Sequence, residues 1–277
     1  MRFRILSHAC MKISGHGKTL LTDPWLNGSC YWRSWWNYPP VDQTVVAGLK
    51  PDAIYLTHIH WDHFHGPTLA KFSRDTQIIL PFDRNRRLRR DMEKMGFRNI
   101  LELPHGDCFS LTPGFKLTSY QFSYWGDSAL VVEVDGVSLL NANDAKFMGA
   151  PLSQIVNRHP KFDFVFRSHS SANDRICWHY WDEENTAPKD DPTAYSRSFY
   201  YFMERVQPRY AVPFASNHCY LHKEVFELNE YVQTPEDVKT YIESRGGFSE
   251  TEIRIMLPGE GWNSETGFET VDEDYFT

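Results

Sequence analysis

Residues 57–66 read Thr-His-Ile-His-Trp-Asp-His-Phe-His-Gly, directly after the apolar run Ala53-Ile54-Tyr55-Leu56. This segment restricts the chain more than any other. A strand alternates its side chains between two faces, so His58 and His60 point the same way. Once the chain leaves the strand, a turn can bring Asp62 and His63 round to a second point. Four ligands divided two and two suit a pair of adjacent metal ions bound through nitrogen and oxygen. A polar loop with scattered histidines explains the segment less well, because His-x-His-x-Asp-His behind a buried strand is a specific pattern.

The remaining composition narrows the class. The chain has 277 residues, within reach of one large α/β unit, and its 41% apolar and 23% charged content is that of an ordinary globular protein. A net charge of −7 argues against nucleic acid as a partner, since phosphate affinity needs clustered Lys and Arg. The one short basic run, Arg84 to Arg90, reads as a solvated helix face, with a phosphate-bearing group such as a nucleotide or CoA as the alternative. No apolar stretch approaches the roughly 20 residues that span a bilayer, so no membrane partner is expected. Met1–Leu6 reads as a strand and not as a signal peptide. Five widely spaced cysteines without a Cys-x-x-Cys pair read as reduced thiols, and the expected location is cytoplasmic.

Strand patterns recur at residues 3–6, 19–22, 53–57, 77–80, 116–122, 130–134, 138–140, 162–166 and 210–213. Helical patterns fall at 67–72, 84–95, 194–206 and 235–244, with Pro67 and Pro235 where a first turn tolerates proline. The alternation predicts an α/β architecture, and without a Ser/Gly linker residues 1–277 read as a single catalytic domain. An internal echo is visible. Cys10–Pro24 and Ser128–Ala145 each run strand, turn, strand to an aspartate, Asp23 and Asp144. Lys50-Pro51-Asp52 leads to His58 at the offset by which Lys161-Phe162-Asp163 leads to His169.

The histidine motif resembles the metallo-β-lactamase superfamily. The resemblance implies an αββα four-layer sandwich with its metals at one edge of the two sheets. It also implies that Asp144 bridges the metals, where a carboxylate offsets the repulsion of two dications. Asp23 is expected to accept a hydrogen bond from a ligand histidine. One further histidine should follow the strand Tyr210–Pro213, and His218 and His222 both stand as candidates. Another is due near Phe122–Trp125, where none occurs; Asp127, His105 and His169 are the possible substitutes. His8 and His179 default to packed histidines.

A second set of segments narrows the resemblance. Leu21-Thr22-Asp23-Pro24-Trp25-Leu26-Asn27-Gly28, the run from Trp32 to Pro40, Asn143-Asp144, Cys177-Trp178 and Pro213-Phe214-Ala215 are similar to the metal domain of the CMP-N-acetylneuraminate hydroxylase family. That resemblance implies a non-haem diiron monooxygenase, with Asp144 and His63 the expected catalytic residues and O2 as co-substrate. The sialic acid enzyme carries an additional Rieske iron–sulfur domain, which is not expected here. Electrons then come from an external donor, a ferredoxin or a reductase. Stand-alone members of this branch are similar to bacterial natural-product enzymes, including the diiron hydroxylase acting on diterpenoid CoA thioesters in platensimycin and platencin assembly. Tyr31, Trp32, Trp35, Trp36 and Tyr38 form an aromatic loop, costly to leave in water. Trp32, Trp35 and Trp36, with Trp178, are expected to wall a bulky small-molecule substrate; packing on the fold or in a homodimer is the other reading. The alternative function is a dinuclear zinc or manganese hydrolase of a lactone, thioester or phosphodiester.

Overall fold

The computed structural model describes residues 1–122, 127–170, 191 and 193–271. Eight strands form one sheet: β1 (Arg2–Ile5), β2 (Met11–Gly15), β3 (Lys18–Thr22), β6 (Ala53–Tyr55), β7 (Gln77–Pro81), β8 (Ile100–Leu103), β17 (Gly261–Asn263) and β18 (Gly267–Glu269). Their order is β18-β17-β1-β2-β3-β6-β7-β8, with β3, β6, β7 and β8 parallel. Seven strands form the other: β9 (Cys108–Thr112), β10 (Phe115–Phe122), β11 (Asp127–Val134), β12 (Val137–Asn143), β13 (Phe164–Arg167), β14 (Tyr210–Pro213) and β16 (Glu252–Ile253). Here β12, β13, β14 and β16 are the parallel run. A small third sheet pairs β4 (Ser29–Cys30), β5 (Trp35–Asn37) and β15 (His218–Tyr220).

Period-two alternation explains the layers. In β6 and β7, Tyr55 and Ile79 join the core shared by the two sheets, with Phe3, Leu20, Leu130, Phe164 and Val212. Their neighbours Ile54, Ile78 and Leu80 face outward against α2 (Gly66–Leu69) and α3 (Arg87–Lys94) through Leu69, Leu88 and Met92. Strands buried on both faces read as continuous apolar runs for this reason. The second sheet repeats the arrangement: Val131, Leu140 and Val165 pack on α4 (Gly149–Arg158), α5 (Ala194–Val206) and α6 (Pro235–Glu243). The result is the αββα sandwich, with a short α1 (Gln43–Ala47) beside the first sheet.

Several expected boundaries moved. The 84–95 pattern becomes a helix only from Arg87, since Arg86 sits at φ 49° and closes a turn from Asp83. Its basic face is engaged in ion pairs: Arg86 and Arg89 with Glu102, Arg87 with Asp91, and Arg89 with Glu93. Helix α4 escaped the sequence reading because it opens on Gly149-Ala150-Pro151, which reads as a turn. Among the described residues no helix is long and apolar enough to cross a membrane.

Parallel strands place their following loops on one edge. The loops after β3, β6, β12, β13 and β14 therefore meet, and the histidine segment is among them.

Candidate metal centre

The segment leaves β6 extended through Thr57 and His58, then turns, with the amides of His63 and Phe64 both donating to the carbonyl of His60. Helix α2 stops the turn. His65 caps it, its Nδ1 accepting from the Thr68 amide at 3.3 Å, and burial lowers the His65 pKa to about 4, keeping the ring a neutral acceptor. This geometry delivers two groups of donors. His58, His60 and Asp144 converge, with His58 Nε2 2.9 Å from His60 Nδ1 and 3.4 Å from Asp144 Oδ2. His8, Asp62 and His63 converge beside them, with Asp62 Oδ2 3.1 Å from His8 Nε2 and 3.3 Å from His63 Nε2. Asp144 Oδ2 also lies 3.8 Å from His63 Nε2, between the two groups.

Behind the donors lies a supporting layer. Asp23 accepts the Thr57 amide at 2.8 Å and the Thr57 hydroxyl at 2.7 Å, and faces His63 Nδ1 at 2.9 Å. That contact leaves His63 Nε2 turned to the centre, buried and without a hydrogen-bond partner among the described residues. The Tyr31 hydroxyl donates to Asp62 Oδ1 at 2.5 Å. Asp23 and Asn143 hold φ at 38° and 40°, the left-handed region that costs a non-glycine residue strain and marks functional loops.

The charges ask for a cation. Burial would raise Asp62, yet His63 and His8 hold its carboxyl well below the usual range. Burial acts likewise on Asp144, and His58 and His63 pull it down. Burial would discharge His63, but Asp144, Asp62 and Asp23 raise it well above an ordinary histidine. Carboxylates arranged to favour positive charge, with Asp144 Oδ1 buried and without a hydrogen bond among the described residues and His63 Nε2 facing two carboxylates, fit dications bound by nitrogen and oxygen.

A cavity of about 150 Å³ opens over the centre, lined by His8, His60, Asp62 and Asp144 and by Trp35, Asp127, Lys146, Tyr195 and His218. Sequence reasoning named most of these but gave His8 only a packing role, and it missed Lys146 and Tyr195 on the wall and the supporting contacts of Thr57. His8 could have been found from its place just after β1, at the edge where the other loops gather. His218 is buried, stacked flat on Trp35 at 3.8 Å, and both its nitrogens lack partners among the described residues. Burial, followed by the nearby His8, lowers its pKa to about 3.

Other expected residues lie elsewhere. His222 sits on an exposed turn beside Glu224, because β15 pairs with β5 and carries the chain away from the centre after His218. His105 bonds the Gln121 amide and Gln154 instead. His169 is buried behind the cavity, its amide bonded to Ser216. Trp32 is 82% exposed and Trp36 bonds Arg33; of the expected aromatic wall, only Trp35 lines the cavity among the described residues. Trp178 and the Phe122–Trp125 turn beyond Phe122 lie outside the described residues. One sequence detail qualifies the expectation of no iron–sulfur site: Cys177-x-His179 and Cys219-x-x-His222 carry the letters of a Rieske pair. Cys219 is half-buried on β15, and the 177–179 half lies outside the described residues.

Residues 2–137 match the model of the beta-lactamase superfamily domain, and the sandwich matches solved structures of that fold. The chain carries a metallo-β-lactamase superfamily domain. It is 31% identical over 147 residues to the cytidine monophosphate-N-acetylneuraminic acid hydroxylase of Mus musculus, covering 50% of this chain and 25% of the relative. A Mycobacterium tuberculosis protein named as a Rieske 2Fe-2S iron–sulfur protein is 25% identical over 281 aligned positions, 94% of this chain and 53% of the relative. The chain spans about half or less of the length of the curated relatives it matches. A mutant of CmlA beta-hydroxylase superposes with TM-score 0.63 and 18% identity, covering 91% of this chain and 52% of that one. An isothiocyanate hydrolase from Delia radicum gut bacteria gives 0.67 and 17%, covering 95% and 99%. Both structural likenesses speak to the fold alone: one frame serves a protein named hydroxylase and another named hydrolase.

Proposed function

We propose that the chain is a dioxygen-dependent, non-haem diiron hydroxylase acting on a C–H bond of a bulky organic substrate. The observation that carries this reading is the donor set. Each group presents two histidines and one carboxylate, the combination that with open positions serves non-haem iron oxygenases. Likeness to relatives named hydroxylases supports it. His58, His60 and Asp144 would hold one ion and His8, Asp62 and His63 the other, with Asp144 reaching toward both and His218 adjacent to the second. Bound there, iron would supply dioxygen activation and oxygen insertion.

The residues do the rest. Asp23 fixes the tautomer of His63, and Tyr31 holds one oxygen of Asp62 so that the other would be free to bind an ion. Trp35 closes the cavity wall and limits water. Lys146 on the rim offers a cation to a substrate carboxylate or phosphate, which suits a CoA thioester of natural-product metabolism. Electrons would come from a separate iron–sulfur protein or reductase; likeness to relatives named as Rieske proteins supports that class of donor.

The same ligands accept zinc or manganese, and the likeness to a hydrolase in fold keeps a metal-activated hydroxide as the second reading. Metal analysis and oxygen uptake separate them. The hydroxylase reading expects about two irons per chain and reductant-dependent oxygen consumption. Stoichiometric zinc with anaerobic turnover of a generic ester or phosphodiester would refute it.

A further inference from the structure

Four rings step from the centre to solvent, and the two outer ones, Trp61 and Trp32, have no part in the proposed mechanism. Tyr31 bonds Asp62 at 2.5 Å. Its ring stacks on Trp61, with centroids 5.7 Å apart and planes 12° from parallel. Trp61 is in turn covered by Trp32 at 4.9 Å, and Trp32 is 82% exposed. On the inner side Trp35 meets the Tyr31 ring edge-on at 4.8 Å and stacks on His218.

This arrangement is built and held. Tyr31, Trp32 and Arg33 have φ of 49°, 55° and 71°, three consecutive residues in a conformation that L-residues avoid. Ser34 pins the turn by donating to the Tyr31 carbonyl through both its amide and its hydroxyl. The Cys30 thiol donates to the Trp61 carbonyl at 3.1 Å and ties the two loops together. The strain sends Tyr31 inward and leaves Trp32 lying over Trp61. Within one loop, Trp35 is buried at the cavity while Trp32 faces water.

We infer that Tyr31, Trp61 and Trp32 form a hole-transfer relay that drains an oxidised metal centre to the surface when no substrate is bound. The inference rests on the hydroxylase reading for its oxidant, the iron centre oxidised by dioxygen. The electrons balance in three steps. Tyr31 gives one electron to that centre and its phenolic proton to Asp62 Oδ1 across their hydrogen bond. Trp61 then returns an electron to Tyr31, which recovers its proton from Asp62, and the hole passes to Trp32. At the surface the Trp32 radical takes one electron from a solution thiol, whose proton passes to water, and the thiyl radicals from two such turnovers couple to one disulfide. The relay protects the ligands from an oxidant that has no substrate to attack.

Two measurements test it. Full-length protein loaded with iron or with zinc is exposed to hydrogen peroxide without substrate or thiol, and oxidised residues are mapped by peptide mass spectrometry. The relay predicts several-fold more oxidation of Trp32 in the iron form. Trp61→Phe should return Trp32 to the zinc level and move damage to Tyr31 and His8. Equal Trp32 oxidation with both metals, or no effect of Trp61→Phe, overturns the relay. The second measurement needs no metal. Photo-oxidised ruthenium tris-bipyridine is flashed with the metal-free chain, and radicals are trapped for electron paramagnetic resonance. A tyrosyl signal absent in Tyr31→Phe and several-fold weaker in Trp61→Phe supports connectivity, whereas equal signals in wild type and Trp61→Phe refute it. Failure to bind iron would defeat the hydroxylase reading and leave this second measurement to decide the relay.

Discussion

The two sheets contain matching halves that begin alike and end differently. In the first, Asp52 accepts the Thr19 amide at 2.9 Å, and its own amide returns to the Thr19 carbonyl. In the second, Asp163 accepts the Ser138 amide at 2.8 Å and its amide returns to the Ser138 carbonyl. Each aspartate thus sets the register of a parallel strand pair, β3 with β6 and β12 with β13. Each hairpin strand then ends on a residue in the left-handed region, Asp23 or Asn143. At six positions beyond the register aspartate each half has a histidine, His58 or His169.

The halves part in charge. Asp23 turns a carboxylate onto Thr57 and His63, whereas Asn143 turns a neutral amide onto the Ser128 carbonyl and the Asp144 amide. His58 faces Asp144, which helps raise its pKa against burial. His169 is buried near His8, and its pKa falls to about 3, first by burial and then by that neighbour. The fold supplies two equivalent histidine positions, and carboxylates gather around only one of them, the one assigned to the proposed metal centre.

The comparison can be broken at its strongest point first. Asp144→Ala removes the carboxylate that reaches toward both donor groups, and should reduce bound metal from two ions to one or fewer with activity down more than about a hundredfold. Metal content by mass spectrometry checks it, and an unaltered pair would dissolve the assignment. Asp23→Asn makes the first half resemble the second at constant shape. It should weaken binding at the His63 group about 10- to 100-fold, read by competition with a chelator. Asp52→Ala and Asp163→Ala should each cost about 0.5–1.5 kcal/mol in urea unfolding, since each removes a hydrogen bond to a backbone amide at the strand pair. A loss confined to one of them would show that the halves are not equivalent supports.

The smallest effect concerns pH. His169 binds its proton near pH 3 when folded and near its ordinary value of about 6.5 when unfolded. Between those limits the unfolded chain holds more protons, so stability is present above the upper limit and is lost as pH falls through the window, at up to about 1.4 kcal/mol per pH unit. His169→Gln should flatten that acid slope in the metal-free chain. An unchanged slope would mean the ring is already accessible.

Much of this was legible beforehand because its signals are local. The apolar runs of β6, β7 and β13 and the helix over 194–206 follow from periodicity alone. The His58–His63 turn announced itself by spacing, and Asp23, Asp144 and His218 were within reach through the echo and the resemblance. His8 was harder to find, because its one signal is its place just after β1; the meeting of β1 with the other loops makes it a neighbour of Asp62. His222 looked equal to His218 until the pairing of β15 with β5 carried it outward. The tryptophans misled for a related reason. Sequence proximity put Trp32 and Trp36 at the cavity, while the left-handed turn at 31–33 rotates Trp32 onto Trp61 and leaves the wall to Trp35.

The most direct test is anomalous diffraction from crystals soaked anaerobically in ferrous salt. Two iron peaks about 3.5–4 Å apart, one flanked by His58, His60 and Asp144 and the other by His8, Asp62 and His63, are expected. A single peak, or iron bound away from these six side chains, would contradict the assignment of a paired metal centre.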